Sequence, residues 1–199
     1  MYLSEVLLNQ STGVNPYDWH RTLWRFFDLP SGTPRPFQFR VEQIKEKKAL
    51  VLMQSSIPLE CEVEGTTVQR QKQYLPRFVS GQVLRFRLKA NPIKTIRDEK
   101  GRLNRRGEIK SCRVPLFKEE QQIQWLVRKL GSTATLSEVA ISSREIIFFR
   151  KGRRAGKVVT ATFDGFIKVQ EPAIFTDIFY AGIGPAKSLG CGLLSLAPA

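Results

Sequence analysis

Tyr17 and His20 lie three residues apart in the stretch Asn15–Phe27 (NPYDWHRTLWRFF), and His20 is the chain's one histidine. An unperturbed imidazole titrates near ~6.5, so this side chain can exchange protons at neutral pH. On a helix, a spacing of three puts phenol and imidazole on adjacent turns of one face. Such a pair can break a ribose–phosphate chain without a metal. A base takes the proton from the 2′-hydroxyl, which attacks the neighbouring phosphorus. An acid protonates the departing 5′-oxygen, and cations stabilise the charge that develops between them. Carboxylates are not clustered as a two-metal nuclease requires, and a zinc ligand set is missing.

That chemistry needs cations to hold phosphate, and three segments offer them. Residues 91–115 (NPIKTIRDEKGRLNRRGEIKSCRVP) include Lys94 and Arg113. Phe148–Lys157 (FFRKGRRAGK) gathers Arg150, Lys151, Arg153, Arg154 and Lys157 around two glycines with no acid among them. A basic hairpin tip can straddle phosphates, and Arg can bind them through two parallel hydrogen bonds. The third segment, GIGPAKSLGCG, holds Gly182, Gly184, Gly190 and Gly192, with Lys187 between them. Its backbone can form an anion nest or a tight connection before a last strand, and the spacing supports both. The Walker spacing GxxxxGK[ST] is absent.

The elements that must position these groups follow from periodicity. Tyr2–Asn9 reads as a buried strand. Asn15 and Pro16 open a helix as N-cap and first helical residue, and the helix ends near Asp28-Leu29-Pro30. At about 100° per residue, Tyr17, Trp19, His20, Leu23, Trp24, Phe26 and Phe27 share one arc, opposite Arg21, Thr22 and Arg25. A histidine on such an arc is more often a satisfied core residue than a catalyst. The arc spans roughly 160°, more than one sheet face requires, so part of it can border a cleft.

Phe37–Ile44 and Ala49–Gln54 read as a hairpin around KEKK. Thr66–Phe78 and Gln82–Ala90 read as a second strand pair. In the latter, Leu84, Phe86 and Leu88 pack on one face while Arg85, Arg87 and Lys89 stand on the other. Residues 91–115 read as a mobile basic excursion. Lys118–Leu130 is a helix closed by Gly131. Arg144–Arg150 and Val158–Val169 are partner strands, Pro172–Ala181 is a helix, and Leu193–Leu196 is a closing strand. This order predicts an α+β protein of tandem ferredoxin-like halves, antiparallel sheets with helices on one face. The halves are placed at 1–90 and 116–199, with 91–115 as their basic connection.

Composition agrees with an anionic partner. The net charge is +14, from 32 Lys+Arg against 18 Asp+Glu, far beyond what solubility needs. Hydrophobic residues make up 42%, including 13 Phe, enough for a packed core. No apolar run approaches the ~20 residues of a membrane span, and MYLSEVLLNQ lacks the basic start of a signal peptide. Cys61, Cys112 and Cys191 are widely spaced and read as free thiols in a reducing cytoplasm.

Several ordered stretches together resemble a known family. They are Met1–Ser4, Tyr17-x-x-His20 with Leu23-Trp24, LRFRLKANPIKT at Leu84–Thr95, CRVPL at Cys112–Leu116, Trp125-Leu126 with RKLG at Arg128–Gly131, and GIGPAKSLGCGLLSLAP at Gly182–Pro198. The chain resembles the CasE-type CRISPR-associated endoribonucleases of type I-E Cascade complexes, a RAMP-type family, nearly end to end. The resemblance implies metal-independent cutting of CRISPR precursor RNA at the base of the repeat stem-loop, with no cofactor. The cut would leave a 2′,3′-cyclic phosphate and a 5′-hydroxyl. It further implies an enzyme that is a monomer when alone, keeps its guide RNA, and joins other Cascade subunits. His20 matches the family's catalytic histidine and Tyr17 its assisting tyrosine. The segment Arg150–Lys157 matches in place the part that grips the RNA stem.

Two other readings compete. A non-catalytic RNA-binding subunit of a ribonucleoprotein would carry the same charge, hairpin and loop. A basic membrane-surface protein would need a helix with a Lys/Arg-rich face and low overall apolarity, and none is present.

Overall fold

The structure is a computed structural model that describes residues 1–9 and 15–199. The first half begins with β1 (Tyr2–Asn9), α1 (Pro16–Trp24), β2 (Phe37–Lys45), β3 (Lys48–Ser55) and β4 (Thr66–Gln73). Its sheet order is β2-β3-β1-β4, antiparallel throughout. This is the ferredoxin-like order with its second helix missing. The segment between β3 and β4 stands in for it, burying Leu59 and Val63 in the same core as Val6, Phe39, Met53, Trp19 and Leu23.

The second half is complete. It runs β5 (Val83–Ala90), a hairpin of β6 (Ile93–Arg97) and β7 (Ser111–Pro115), then α2 (Glu119–Leu130), β8 (Ala134–Lys151), β9 (Arg154–Val169), α3 (Pro172–Ala181) and β10 (Leu194–Pro198). The main sheet is ordered β10-β5-β9-β8. Leu84, Phe86 and Leu88 of β5 join Trp125, Leu126, Phe163, Phe175 and Phe179 in its core. Tandem ferredoxin-like halves therefore describe the fold.

Four expectations change. First, Thr66–Phe78 does not pair with Gln82–Ala90: β4 joins β1, while β5 joins β9 and β10. The border between halves thus lies between Gln73 and Val83 rather than at residue 90. Period-two alternation gives a strand its faces but not its partner. Tyr74 and Phe78, in that connection, close over Phe179 and Phe175. Second, residues 91–115 form a paired hairpin, with Leu103 bridging Ile109 beyond the regular ladder. Asp98 holds Arg102 at 2.6 Å, and Asn104 donates to Glu108 at 3.0 Å. Third, β8 starts ten residues before Arg144. Its polar first part carries two register shifts, which break the alternation that a reader of sequence looks for. Fourth, α1 ends at Trp24, and Arg25–Phe27 continue as turns that still bury Phe26 and Phe27.

The halves are bolted together through polar groups. Arg40 on β2 is 5% exposed. Its guanidinium meets Glu42 at 2.7 Å and donates to the carbonyls of Arg87 at 3.2 Å and Leu193 at 3.4 Å. Gln38 Nε2 donates to the Tyr180 carbonyl at 2.6 Å. Of the thiols, Cys191 is buried, while Cys61 and Cys112 are exposed.

Candidate active site

Helix α1 is started by Pro16, whose fixed φ suits the first helical turn. Asn15 is the residue before it, extended at φ −99 and ψ 111. Its side chain does not cap the helix. It reaches across to the second half, donating to the Arg150 carbonyl and accepting from the Arg150 N–H, both at 2.9 Å. The tip of the β8–β9 hairpin is thereby tied to the start of α1.

His20 sits one turn into α1, half-buried among rings. Its centroid lies 5.8 Å from Tyr17, 5.8 Å from Phe37, 6.5 Å from Phe39 and 6.3 Å from Trp24. The Trp24 indole Nε1–H donates to His20 Nε2 at 3.2 Å. Two cations flank the group. Lys151 Nζ stands 5.3 Å from the Tyr17 ring centroid, and the Arg35 guanidinium 5.6 Å from that of Phe37. Burial first, then Arg35 and Lys151, pushes the His20 pKa down to about 4. The RNA-free imidazole is therefore neutral at pH 7, and because its acceptor nitrogen Nε2 already takes the Trp24 N–H, that bond must open before His20 can accept a proton. An arriving phosphate would offset both flanking charges and let the imidazolium form.

Beside Tyr17 a groove of about 490 Å³ runs between the halves, lined also by Arg113, Lys151, Lys157, Pro185, Ala186 and Ser188. Four residues named from sequence thus converge: Tyr17 from α1, Arg113 from β7, and Lys151 and Lys157 from the two arms of one hairpin. Lys94, Arg150, Arg153 and Arg154 are exposed but do not line this groove. Arg153 sits at the hairpin turn between β8 and β9.

Lys187 is half-buried. Its Nζ donates to the Ala181 carbonyl at 2.6 Å, and burial followed by Arg35 holds its pKa below the usual lysine range. The glycine-rich segment around it is chiefly a packing device. A side chain at Gly182 would collide with Gln38, and one at Gly184 with Trp125. Ala186 itself adopts φ 62, a left-handed backbone conformation at the groove wall.

Sequence reading overlooked Arg35. It lies in the Pro/Gly/Ser-rich loop before β2, where spacing gives no signal. Only the fold brings it near His20. The role of Trp24 as a donor to His20 was equally hidden, although the i to i+4 spacing on α1 could have revealed it.

Known proteins share this chain's sequence and fold from end to end. A family model described as "CRISPR associated protein" matches residues 1–198. The CRISPR system Cascade subunit CasE of Escherichia coli K12 is 40% identical over 198 residues, all of both chains. The CRISPR-associated endoribonuclease Cse3 of Thermus thermophilus is 32% identical, again over the whole of both. Among solved structures, that of Cas6e from E. coli K-12 superposes with a TM-score of 0.83 at 42% identity, and Cse3 bound to a 19-nucleotide RNA with 0.78 at 30%. Both cover 100% of each chain.

Proposed function

Because the chain belongs to the CRISPR-associated protein family matched over residues 1–198, we propose that it is an endoribonuclease that cuts CRISPR precursor RNA at the base of the repeat stem-loop. His20 and Tyr17 are its proton-transfer pair. The products are a 2′,3′-cyclic phosphate and a 5′-hydroxyl, and the enzyme keeps its guide RNA as a Cascade subunit. It needs no metal or other cofactor. The observation that carries this reading is the convergence of Tyr17, Arg113, Lys151 and Lys157 on one groove with His20 behind Tyr17. A phosphate in that groove lies among three cations and beside the Tyr17 phenol, with the His20 ring, which does not itself line the groove, 5.8 Å from that of Tyr17. Lys151, beside both, is placed to stabilise charge that grows on the phosphorane oxygens.

Lys94, Arg150, Arg153 and Arg154 extend the cationic surface away from the groove and grip the duplex stem through its phosphates. Lys187 acts at one remove, by fixing the glycine-rich wall. The protein works in the cytoplasm as a monomer until it assembles. Among the described residues no helix is long and apolar enough to cross a membrane, and the exposed free thiols Cys61 and Cys112 suit a reducing compartment.

Repeat RNA incubated in EDTA tests the reading. Cleavage should persist, yield a cyclic phosphate end, and stop when the 2′-hydroxyl at the cut is replaced by hydrogen. Protection of the stem without a cut product would instead make the chain a non-catalytic RNA-binding subunit.

A further inference from the structure

The link between Asn15 and Arg150 joins residues 135 positions apart through both edges of one amide group. A primary amide that donates to a carbonyl and accepts from the N–H of the same residue copies the pairing of a β-ladder. It thereby fixes the hairpin in two directions. The next residue along β8 is Lys151, whose ammonium stands over Tyr17 and lowers the His20 pKa. The next residue along α1 is Pro16, with Tyr17 immediately after it. Two short covalent leads therefore run from the Asn15–Arg150 link, one to each side of the Lys151–Tyr17 contact.

Lys151 pairs with Arg154 in the β8–β9 ladder, which shapes the hairpin, and the Asn15–Arg150 link adds its tie to α1. Arg150, Lys151, Gly152 and Arg153 are all exposed, and a hairpin tip of this kind swings freely unless tied. A lysine stem has four rotatable bonds, so its placement depends on where the backbone is anchored.

We propose that Asn15 is a positioning residue that locks the basic β8–β9 hairpin onto the start of α1 and so holds Lys151 over the Tyr17–His20 pair. RNA that grips the hairpin then pulls on the catalytic helix through the same link, so stem binding and active-site order are one event. The geometry stands by itself, while the catalytic consequence rests on the endoribonuclease reading above.

The lone histidine makes the test clean, because its imidazole signals in a nuclear magnetic resonance titration have no competitors. The groups that face it are Tyr17 and Trp24 from α1, Phe37 and Phe39 from β2, Arg35 before β2, and Lys151 from the hairpin. In RNA-free protein, Lys151→Ala should raise the His20 pKa above its value of about 4, while burial and Arg35 still hold it below the ordinary value. Asn15→Ala should raise it as well, and the double variant should match Lys151→Ala alone. The Arg150 amide should exchange its hydrogen faster in Asn15→Ala. Asn15→Ser, which keeps a capping residue but is too short to span the gap, should behave like Asn15→Ala. With repeat RNA, single-turnover cleavage should fall in both variants, by up to about a hundredfold, the scale of a ~1 Å misplacement, with a smaller change in RNA affinity. An unmoved His20 titration in Asn15→Ala, or a double variant showing the two shifts added together, overturns the proposal. Absence of cleavage by the unaltered protein would overturn the enzymatic reading instead, leaving the titration to decide the positioning role.

Discussion

Trp24 Nε1–H donates to His20 Nε2 at 3.2 Å, one turn along the same helix. An indole can only donate, so Nε2 must offer its lone pair, and the neutral ring carries its proton on Nδ1. This bond also opposes protonation at Nε2, since a donor aimed at a lone pair favours the neutral form.

Trp24→Phe should therefore release the tautomer. Phenylalanine keeps an aromatic ring against Phe37, which Trp24 meets edge-on at 5.5 Å, but removes the donor. Nitrogen chemical shifts of the single histidine should show Nδ1 protonated in the parent protein and a mixture of tautomers in the variant, with a raised pKa. Identical shifts in the two proteins would mean that Trp24 does not set the tautomer.

The depressed pKa of His20 has two pH signatures. As a general base, neutral His20 should keep kcat/KM level from neutrality down to near its free-enzyme value of about 4. In the RNA complex the phosphate offsets Arg35 and Lys151, so the single-turnover rate should fall at a higher pH. A rate that instead declines as pH rises through this range would make His20 the acid and Tyr17 the base. Stability follows the same group. Its folded pKa lies below the unfolded value of about 6.5, so the unfolded chain binds the proton first. The stability His20 contributes is complete above that value and is lost as pH falls toward 4. Thermal melting at several pH values should show a shallower acid decline in His20→Gln.

Much of this was legible beforehand, for identifiable reasons. Tyr17 and His20 could be paired because a helix fixes side-chain direction from spacing alone. The two faces of β5 could be read because Leu84, Phe86 and Leu88 alternate strictly with Arg85 and Arg87. The partner of β5 could not, because pairing depends on which edge the folded sheets leave open. Nor could Arg35 be linked to His20, since loop residues carry no periodicity and their approach is set by the turn between Phe27 and Phe37. The bond from Lys187 to the Ala181 carbonyl could not be foreseen either, because a lysine beside glycines reads the same in sequence whichever partner it meets.

Cations on and off the groove should separate affinity from rate. Lys157 and Arg113 line it with Tyr17, so alanine at either should weaken RNA binding and slow single-turnover cleavage together. Each lost phosphate contact should flatten the log–log salt slope by roughly 0.7–0.9. Charge reversal at Arg153 and Arg154, at the exposed turn, should weaken binding and flatten the slope while leaving cleavage of bound RNA near its normal rate. Titrations at several salt concentrations, paired with saturating single-turnover assays, distinguish the two patterns. Unchanged affinity and slope in the Arg153/Arg154 variant would remove the tip from the interface.

Arg40 ties stability to the relation between the halves. Its guanidinium is almost wholly buried, yet it reaches Glu42 on its own strand and two carbonyls of the other half, those of Arg87 and Leu193. Arg40→Ala strips both carbonyls of a charged donor and leaves Glu42 beside a void. Loss of one partner from a buried ionic contact costs about 3–5 kcal/mol. Glu42 keeps 30% of its side-chain surface exposed, so water relieves part of that, and about 2–3 kcal/mol is expected. Because the same atoms span the halves, the variant should also uncouple them. Denaturant unfolding followed by Trp125 fluorescence, with Trp19 and Trp24 replaced by Phe, should then no longer coincide with unfolding followed by circular dichroism. Arg40→Lys should rescue only partly, since one ammonium cannot reproduce the fork that meets a carboxylate and two carbonyls together. A midpoint unchanged by Arg40→Ala would mean that apolar contacts alone hold the two sheets in place.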